Sequence, residues 1–389
     1  MMDSSKQIEL IRRGCTEVIS EAELKIKLDR KKPLRIKLGV DPTSPDLHFG
    51  HLVLLNKLRT FQTLGHHILF LIGDFTARIG DPSGRLETRP VLSEAEIKAN
   101  AKTYEDQVLK VLDKEKTEFM VNSSWLTPLG AAGLLNLARQ YTVARLLERD
   151  DFSKRYKSGS PITLLEFFYP LLQGQDSVAM KADVELGGND QKFNLIVGRE
   201  LQRDAGQEPQ IVITLPLLEG VDGTRKMSKS YGNHIAFNDS PRDMFGKVMS
   251  VPDELMWKYY ELLTEEDLKT VKTLHPKEAK VRLAQQMTER FHGKDAALEA
   301  RRQFEQVFSQ KGVPENIEEF VCSKESVDPV DLLVETQLAP SRNEARRLVQ
   351  QGGVEADGKR VALGSPLDAT RPFILKVGKR RFKRIIPSP

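Results

Sequence analysis

The amino-acid sequence predicts an α/β protein: a parallel-sheet domain, then an α-helical domain, then a small α+β module. Three observations carry this reading. Apolar runs of strand length alternate with helical patterns as far as residue 218, and between residues 239 and 320 the strand-like runs disappear. Positive charge collects at the carboxyl end: of the 59 Lys and Arg and 55 Asp and Glu in 389 residues, 12 and 6 fall in 331–389, leaving 47 and 49 for the rest. A chain of this length exceeds a single hydrophobic core, so the domains are drawn at 1–235, 236–325 and 330–389.

Taken in order, Ser20-Glu21-Ala22-Glu23 reads as a capping box opening a helix that ends before Pro33. A strand-like run, 34–40, leads into the polar loop 41–47. Leu52, Leu55, Leu58 and Leu64 mark the next helix, and 67–75 (HILFLIGDF) has the continuous apolar content of a strand buried on both faces. This is βαβ order, which implies a parallel sheet with right-handed crossovers. A second unit follows: strand 182–186, a Gly-Gly turn, a helix through 193–201, and strand 210–218. Because ligands of such sheets bind beyond the carboxyl ends of the strands, loops 39–47, 73–85 and 187–191 are expected to converge on one crevice. Ser240-Pro241 starts the helical segment, 324–330 reads as a polar linker, and Ser341-Arg342-Asn343-Glu344 is a capping box whose helix stops at Gly352-Gly353.

Several classes are excluded. No uncharged apolar stretch approaches the ~18 to 20 residues needed to cross a bilayer. The segment MMDSSKQIELIRR has no apolar core of a secretory signal, so a cytoplasmic protein is expected. Cys15 and Cys322 are too few for a disulfide framework or a four-cysteine zinc site.

Two motifs carry chemistry. His48-Phe49-Gly50-His51 places two imidazoles at a helix start, where backbone N–H groups favour an anion, and Gly50 leaves room for a flat group. A metal pair completed by His66 or His67 is the alternative, although no acidic residue sits between the histidines as in the helical zinc motif. Lys226-Met227-Ser228-Lys229-Ser230 lies in a glycine-flanked loop after a strand. Two lysines and two hydroxyls there can wrap a polyphosphate; a solvated basic turn is the plainer alternative.

Occurring together and in this order, HFGH and KMSKS resemble the signatures of the class I aminoacyl-tRNA synthetases, implying a Rossmann-like catalytic domain. Gly39-Val40-Asp41-Pro42-Thr43, Ile79 to Gly84, Tyr169 to Asp176 and Gly187 to Gln191 narrow the resemblance to the bacterial tyrosyl-tRNA synthetases. The resemblance implies that Tyr169, Gln173 and Asp81 hold the substrate ammonium, that Gln191 lies near its carboxylate, and that Gly39 belongs to the same tyrosine site. Asp176 would accept the phenolic hydrogen bond, Gly188 and Asp190 would meet the ATP ribose, and Asp41, Thr43, His48 and His51 would line the ATP side. His48, His51, Lys226 and Lys229 would be catalytic, with Arg85 and Arg89 as candidates for pyrophosphate. Magnesium would arrive with ATP, with no dedicated metal site. Lys37 departs from the tyrosine common in the family at that position, as do Gln175 and Lys192 from its aromatics, a pattern similar to a second bacterial subgroup.

At the carboxyl end, Leu338-Ala339, the segment 341–348, Gly352-Gly353-Val354 and Gly358 resemble a small RNA-binding module shared with a ribosomal protein and pseudouridine synthases. Arg342, Arg346 and Arg347 fall on roughly one helix face and can meet tRNA phosphates together, with Lys379-Arg380-Arg381 and Lys383-Arg384 adding a basic tail. The implied partners are tRNA(Tyr), L-tyrosine, ATP and a second copy of the chain, joined around residues 120–170. The rivals are a tryptophan-activating enzyme of the same class and an RNA-binding protein that keeps the fold without catalysis.

Overall fold

Six strands build the first sheet: β1 Glu17–Ile19, β2 Arg35–Val40, β3 His67–Ile72, β4 Thr117–Val121, β5 Val184–Gly188 and β6 Ile211–Leu215. Their order is β1-β6-β5-β2-β3-β4, with every pairing parallel except β1 on β6. These relations come from a computed structural model that describes residues 2–83, 92–309, 317–378 and 381–388. The chain forms two compact units, Met1–Lys294 and Asp295–Pro389.

From β2 the chain winds outward through β3 to β4, then returns to place β5 on the other side of β2, so the winding reverses between β2 and β5. These two strands pair only at Ile36–Val184 and Lys37–Glu185, whereas β2 and β3 pair over six positions. Beyond Lys37 and Glu185 they part, and the gap is the crevice that doubly wound sheets use for ligands. The helix Phe49–Thr63 covers the sheet with Leu52, Leu55, Leu58 and Phe61, all buried, against a sheet interior that includes Ile36, Ile68, Val184 and Ile213. Fully burying side chains of this size contributes roughly 1.5 to 3 kcal/mol each, so this face anchors the helix and, through it, the His48–His51 start.

The fold departs from the sequence-based expectations at several points. The third strand stops at Ile72 instead of continuing to 75, because the chain turns at Gly73, where a Cβ would fall 2.1 Å from Asp41 Oδ1. The two glycines at 187 and 188 are not a turn. They end β5 in register with Thr214 and Leu215. Ser20 occupies the N-cap position of Glu21–Asp29 without a side-chain capping bond. The segment 324–330 is not a linker either: Ser326–Val327 pairs with Leu367–Asp368, and Val327 and Val330 are buried.

After Asn238 the chain is helical as expected. Ser240 caps Pro241–Ser250 by accepting from Asp243 N, and Asp253–Leu263, Leu268–Val271 and Pro276–His292 follow. These helices pack within the first unit, where the Phe291 ring lies 4.6 Å from Phe237 and 5.8 Å from Phe49. In the second unit a five-stranded sheet and the helices Pro329–Glu335 and Arg342–Gln350 enclose a core built on Leu332, Leu333, Ala345, Val354, Leu375 and Ile385.

Candidate active site

His48 is the N-cap of the helix Phe49–Thr63. Its Nδ1 accepts from Gly50 N at 3.1 Å, and His51 Nδ1 accepts from His48 N at 3.2 Å, so the two imidazoles satisfy the helix start reciprocally. With each Nδ1 acting as acceptor, each proton belongs on Nε2, and both rings present a neutral N–H donor. Burial, reinforced by His51 and His234, holds His48 well below the ordinary imidazole value, and burial lowers His51 to about 4. The pair therefore offers hydrogen-bond donors without charge. The space that Gly50 leaves is filled by His48 itself, since a Cβ there would lie 2.9 Å from the imidazole.

The KMSKS loop is held at its middle. Met227 is buried and its N–H donates to Leu218 O at 2.7 Å; Asn233 accepts from Ser228 N at 2.9 Å and donates to Lys226 O and Asp222. The lysines stay partly exposed, Lys226 Nζ 3.3 Å from Asp190 and Lys229 Nζ 3.7 Å from Asp46. Burial raises the Asp190 carboxyl against the opposing charge of Lys226.

Two adjoining cavities occupy the crevice. The outer one, about 530 Å³, is lined by His48, Asp190, Lys226 and Lys229. The inner one, about 220 Å³, reaches down between β2 and β5 past Gly39, Asp41, Asp81, Tyr169 and Gln173 to Asp176. Thr43, His51, Gly188 and Gln191 line both. Every tyrosine-binding, ATP-binding or catalytic candidate of the first unit that falls within the described residues thus faces one of two connected spaces. Arg85 and Arg89, like Lys379 and Arg380, lie outside the described residues. His66 takes no part: its Nδ1 accepts from Leu34 N and its Nε2 meets Gln7, and among the described residues no cluster of three metal-type ligands occurs.

A hydrogen-bonded chain runs the length of the inner cavity. The Tyr169 hydroxyl donates to Asp41 Oδ2 at 2.8 Å, Thr76 donates to Asp41 Oδ1 at 2.7 Å, and Asn122 donates to Thr76 Oγ1 and to Asp176 Oδ2. Trp125 Nε1 donates to Asp176 Oδ1 at 2.8 Å. Burial pushes the Asp176 carboxyl up to about 7, opposed first by the charge of Lys37 and then by the Trp125 and Asn122 hydrogen bonds. Toward the mouth, Gln191 donates to Asp81 at 2.6 Å, and Asn194 donates to Gln173 Oε1 and Gln191 Oε1. The buried Arg149, paired with Asp151, lies 3.9 Å from Asp81.

The family model described as tRNA synthetases class I (W and Y) matches residues 29–309, and a tyrosine–tRNA ligase C-terminal domain model matches 303–383. The tyrosine–tRNA ligase of Oleidesulfovibrio alaskensis is 54% identical over 99% of this chain and 100% of its own length. The chain belongs to the tyrosine–tRNA ligase family. A second relative, from Aquifex aeolicus, is 52% identical over 99% of this chain and 100% of its own. Among solved structures, tyrosyl-tRNA synthetase complexed with L-tyrosine from Archaeoglobus fulgidus shares the fold, with a TM-score of 0.64 and 24% identity over 77% of this chain and 100% of that one.

For this family member, reading the sequence passed over Asn122, Trp125, Arg149, Glu185 and Asn194. Trp125 and Asn122 stand at the start of the helix Ser123–Arg139, more than forty residues from the carboxylate they hold. Only the run 117–121, which forms β4 next to β3, could have signalled that this helix begins at the crevice.

Proposed function

We propose that this enzyme joins L-tyrosine to tRNA(Tyr) in two steps at the paired cavities. The observation that carries the reading is their division. A small inner space ends in a buried, hydrogen-bonded carboxylate, and a larger outer space is rimmed by imidazole N–H groups and two lysines. The amino acid enters the inner cavity, where its phenolic O–H donates to Asp176. Its ammonium meets Tyr169, Gln173 and Asp81, and its carboxylate lies toward Gln191 and the shared residues. ATP fills the outer cavity, with its ribose at Gly188 and Asp190 and the base and phosphates along Thr43, His48 and His51.

A tyrosine carboxylate is ionised at neutral pH, so the first step needs no general base. One carboxylate oxygen attacks the α-phosphorus, the bond to the bridging oxygen breaks, and pyrophosphate leaves with its electron pair. His48 and His51 donate from Nε2 to oxygens that gain charge. Lys226 and Lys229 leave their loose carboxylate partners to follow the pyrophosphate, so positioning and charge stabilisation supply the catalysis. Magnesium, the group this chemistry calls for, would neutralise phosphate charge. The carboxylates that face the two signature lysines, Asp190 and Asp46, are already paired, which fits an ion carried in by the triphosphate. In the second step a terminal ribose hydroxyl of the tRNA attacks the acyl carbon of the mixed anhydride; the bond from that carbon to the phosphate oxygen breaks, AMP leaves with its electron pair, and the hydroxyl proton passes to the departing phosphate.

The second unit supports an RNA-binding role. On the helix Arg342–Gln350, Ala345 and Val349 are buried while Arg342, Arg346 and Arg347 are exposed. Among the described residues, Arg342 and Arg347 pair with the surface carboxylates Asp331 and Glu344, ion pairs that phosphates can displace. We assign 1–235 to chemistry, the helices from Pro241 to His292 to the anticodon side and the second unit, with Arg342, Arg346 and Arg347, to RNA binding, in a cytoplasmic homodimer. The dimer reading draws support from exposed apolar side chains gathered in one stretch: Leu135, Val143, Leu164 and Leu165. Amino-acid-dependent ATP–pyrophosphate exchange tests the activity. Tyrosine should support it and tryptophan and phenylalanine should not; exchange with none would favour a binding protein.

A further inference from the structure

Lys37 lies wholly buried at the inner end of the small cavity. Its Nζ is 2.8 Å from Glu185 Oε1, donates to Ser177 Oγ at 2.7 Å and donates to the Gln173 carbonyl at 3.1 Å. An ammonium has three protons, and these partners use all three. Glu185 is equally committed: its Oε2 accepts from Ser177 Oγ at 2.9 Å and from Gln210 Nε2 at 2.5 Å. Lys37 therefore has no proton left for a ligand. What it contributes is a positive charge at a fixed place, on the strand beside the helix that carries Asp176, Ser177 and Gln173.

Asp176 differs from that closed cluster. A carboxylate has about four acceptor positions, and only Trp125 and Asn122 are seen donating to it. It is the group at this end with capacity for a ligand donor. Without a nearby cation it would share a dry pocket with the anion of Glu185, and one of the two would hold a proton.

We propose that Lys37, held by Glu185, Ser177 and Gln173, is the positioning residue for amino-acid selection: it keeps Asp176 an open acceptor, so that a phenolic hydroxyl is taken and a plain aromatic ring is refused. The inference rests on the functional reading above and names how that site chooses its substrate. A ring without the hydroxyl leaves a buried carboxylate short of a donor, which is the kind of mismatch that separates substrates by large factors. The other charged or titratable groups facing the cavity are His51 beside Gly50, Asp41 after β2, Asp81 in the loop after β3, and Tyr169 on the helix of Asp176; the helix with Trp125 contributes no charge there. These lie toward the mouth and are unchanged by substitution at positions 37 and 185.

The experiment uses full-length enzyme in tyrosine- and phenylalanine-dependent pyrophosphate exchange across pH 6 to 8.5. The variants are the neutral pair Lys37→Met with Glu185→Gln and the single Glu185→Gln. The neutral pair removes the cation without leaving Glu185 as a second unpaired anion beside Asp176. At pH 7 it should lower the tyrosine-to-phenylalanine ratio of kcat/KM about tenfold or more, and it should shift the acid limb of kcat/KM for tyrosine to higher pH. Glu185→Gln alone leaves the lysine charge uncompensated and should shift that limb to lower pH. A loss confined to melting temperature or to kcat, with the ratio and both limbs at their wild-type positions, would make Lys37 a packing residue and overturn the proposal. Limbs moving the same way in both variants would overturn it too. If either variant fails to fold, the other decides by its own limb. Wild-type enzyme that shows no tyrosine-dependent exchange would instead remove the functional reading on which this inference rests.

Discussion

The inner and outer cavities are built on opposite plans. At the inner end the polar groups are buried, hydrogen-bonded and fixed on strands and a helix: Lys37 on β2, Glu185 on β5, Asp176 and Ser177 on Leu164–Met180. In the outer cavity the cations stand on a loop, partly exposed, facing single carboxylates. The difference follows from the two tasks. Discrimination between phenol and benzene needs groups that cannot relax around the wrong ligand, whereas pyrophosphate has to be stabilised while it moves away. Rigid burial suits the first task and tethered charge the second.

The largest expected effect breaks the outer plan alone. Lys229→Ala should lower kcat of adenylate formation by roughly 10² to 10³, as loss of one charge-stabilising donor does, while KM for tyrosine changes little; steady-state exchange against both substrates measures it, and equal effects on both would contradict the division. The next breaks the inner plan. Trp125→Phe removes one of two donors from Asp176 and should weaken tyrosine by roughly 1.5 to 3 kcal/mol in kcat/KM, leaving KM for ATP in place.

Gly50→Ala pushes a Cβ into the His48 ring and should displace one N–H donor, a defect of about tenfold or more in kcat that a crystal structure of the variant can trace to the imidazole. Smaller still is replacing Arg342, Arg346 and Arg347 together by alanine. This should leave exchange intact, raise KM for tRNA and flatten the salt dependence of charging by up to about 2 to 3 in log–log slope. Full-length protein is the right material, because cutting near residue 330 would strip Cys322 and Val327 of the core they share with Leu333 and Ile385.

Much of this was legible in the sequence, and the reasons differ by region. The sheet could be read because strands buried on both faces leave continuous apolar runs, and the signature residues because HFGH and KMSKS stand at strand ends. What escaped notice depended on contacts between distant segments. Trp125 looks like one more apolar residue of its helix until the fold brings it to Asp176, and Glu185 looks like an interruption in a strand until Lys37 is found beside it. The 326–327 strand was read as linker because two residues carry no period; its partner, 367–368, lies forty residues on. Gly187 and Gly188 look like a turn in sequence, yet as the last residues of β5 they keep its end narrow where the two cavities meet.

The contrast between the cavities has one direct measurement: kcat/KM for tyrosine at saturating ATP, and for ATP at saturating tyrosine, over pH 6 to 8.5. Asp176, raised by burial to about 7, must be ionised to accept the phenol, so the tyrosine profile should fall as pH drops through that value. His48 and His51 are held low, His51 to about 4, and stay neutral donors across the range, so the ATP profile should be flat. A tyrosine profile without an acid limb, or an ATP profile that falls near 6.5 with the protonation of the signature histidines, would contradict it.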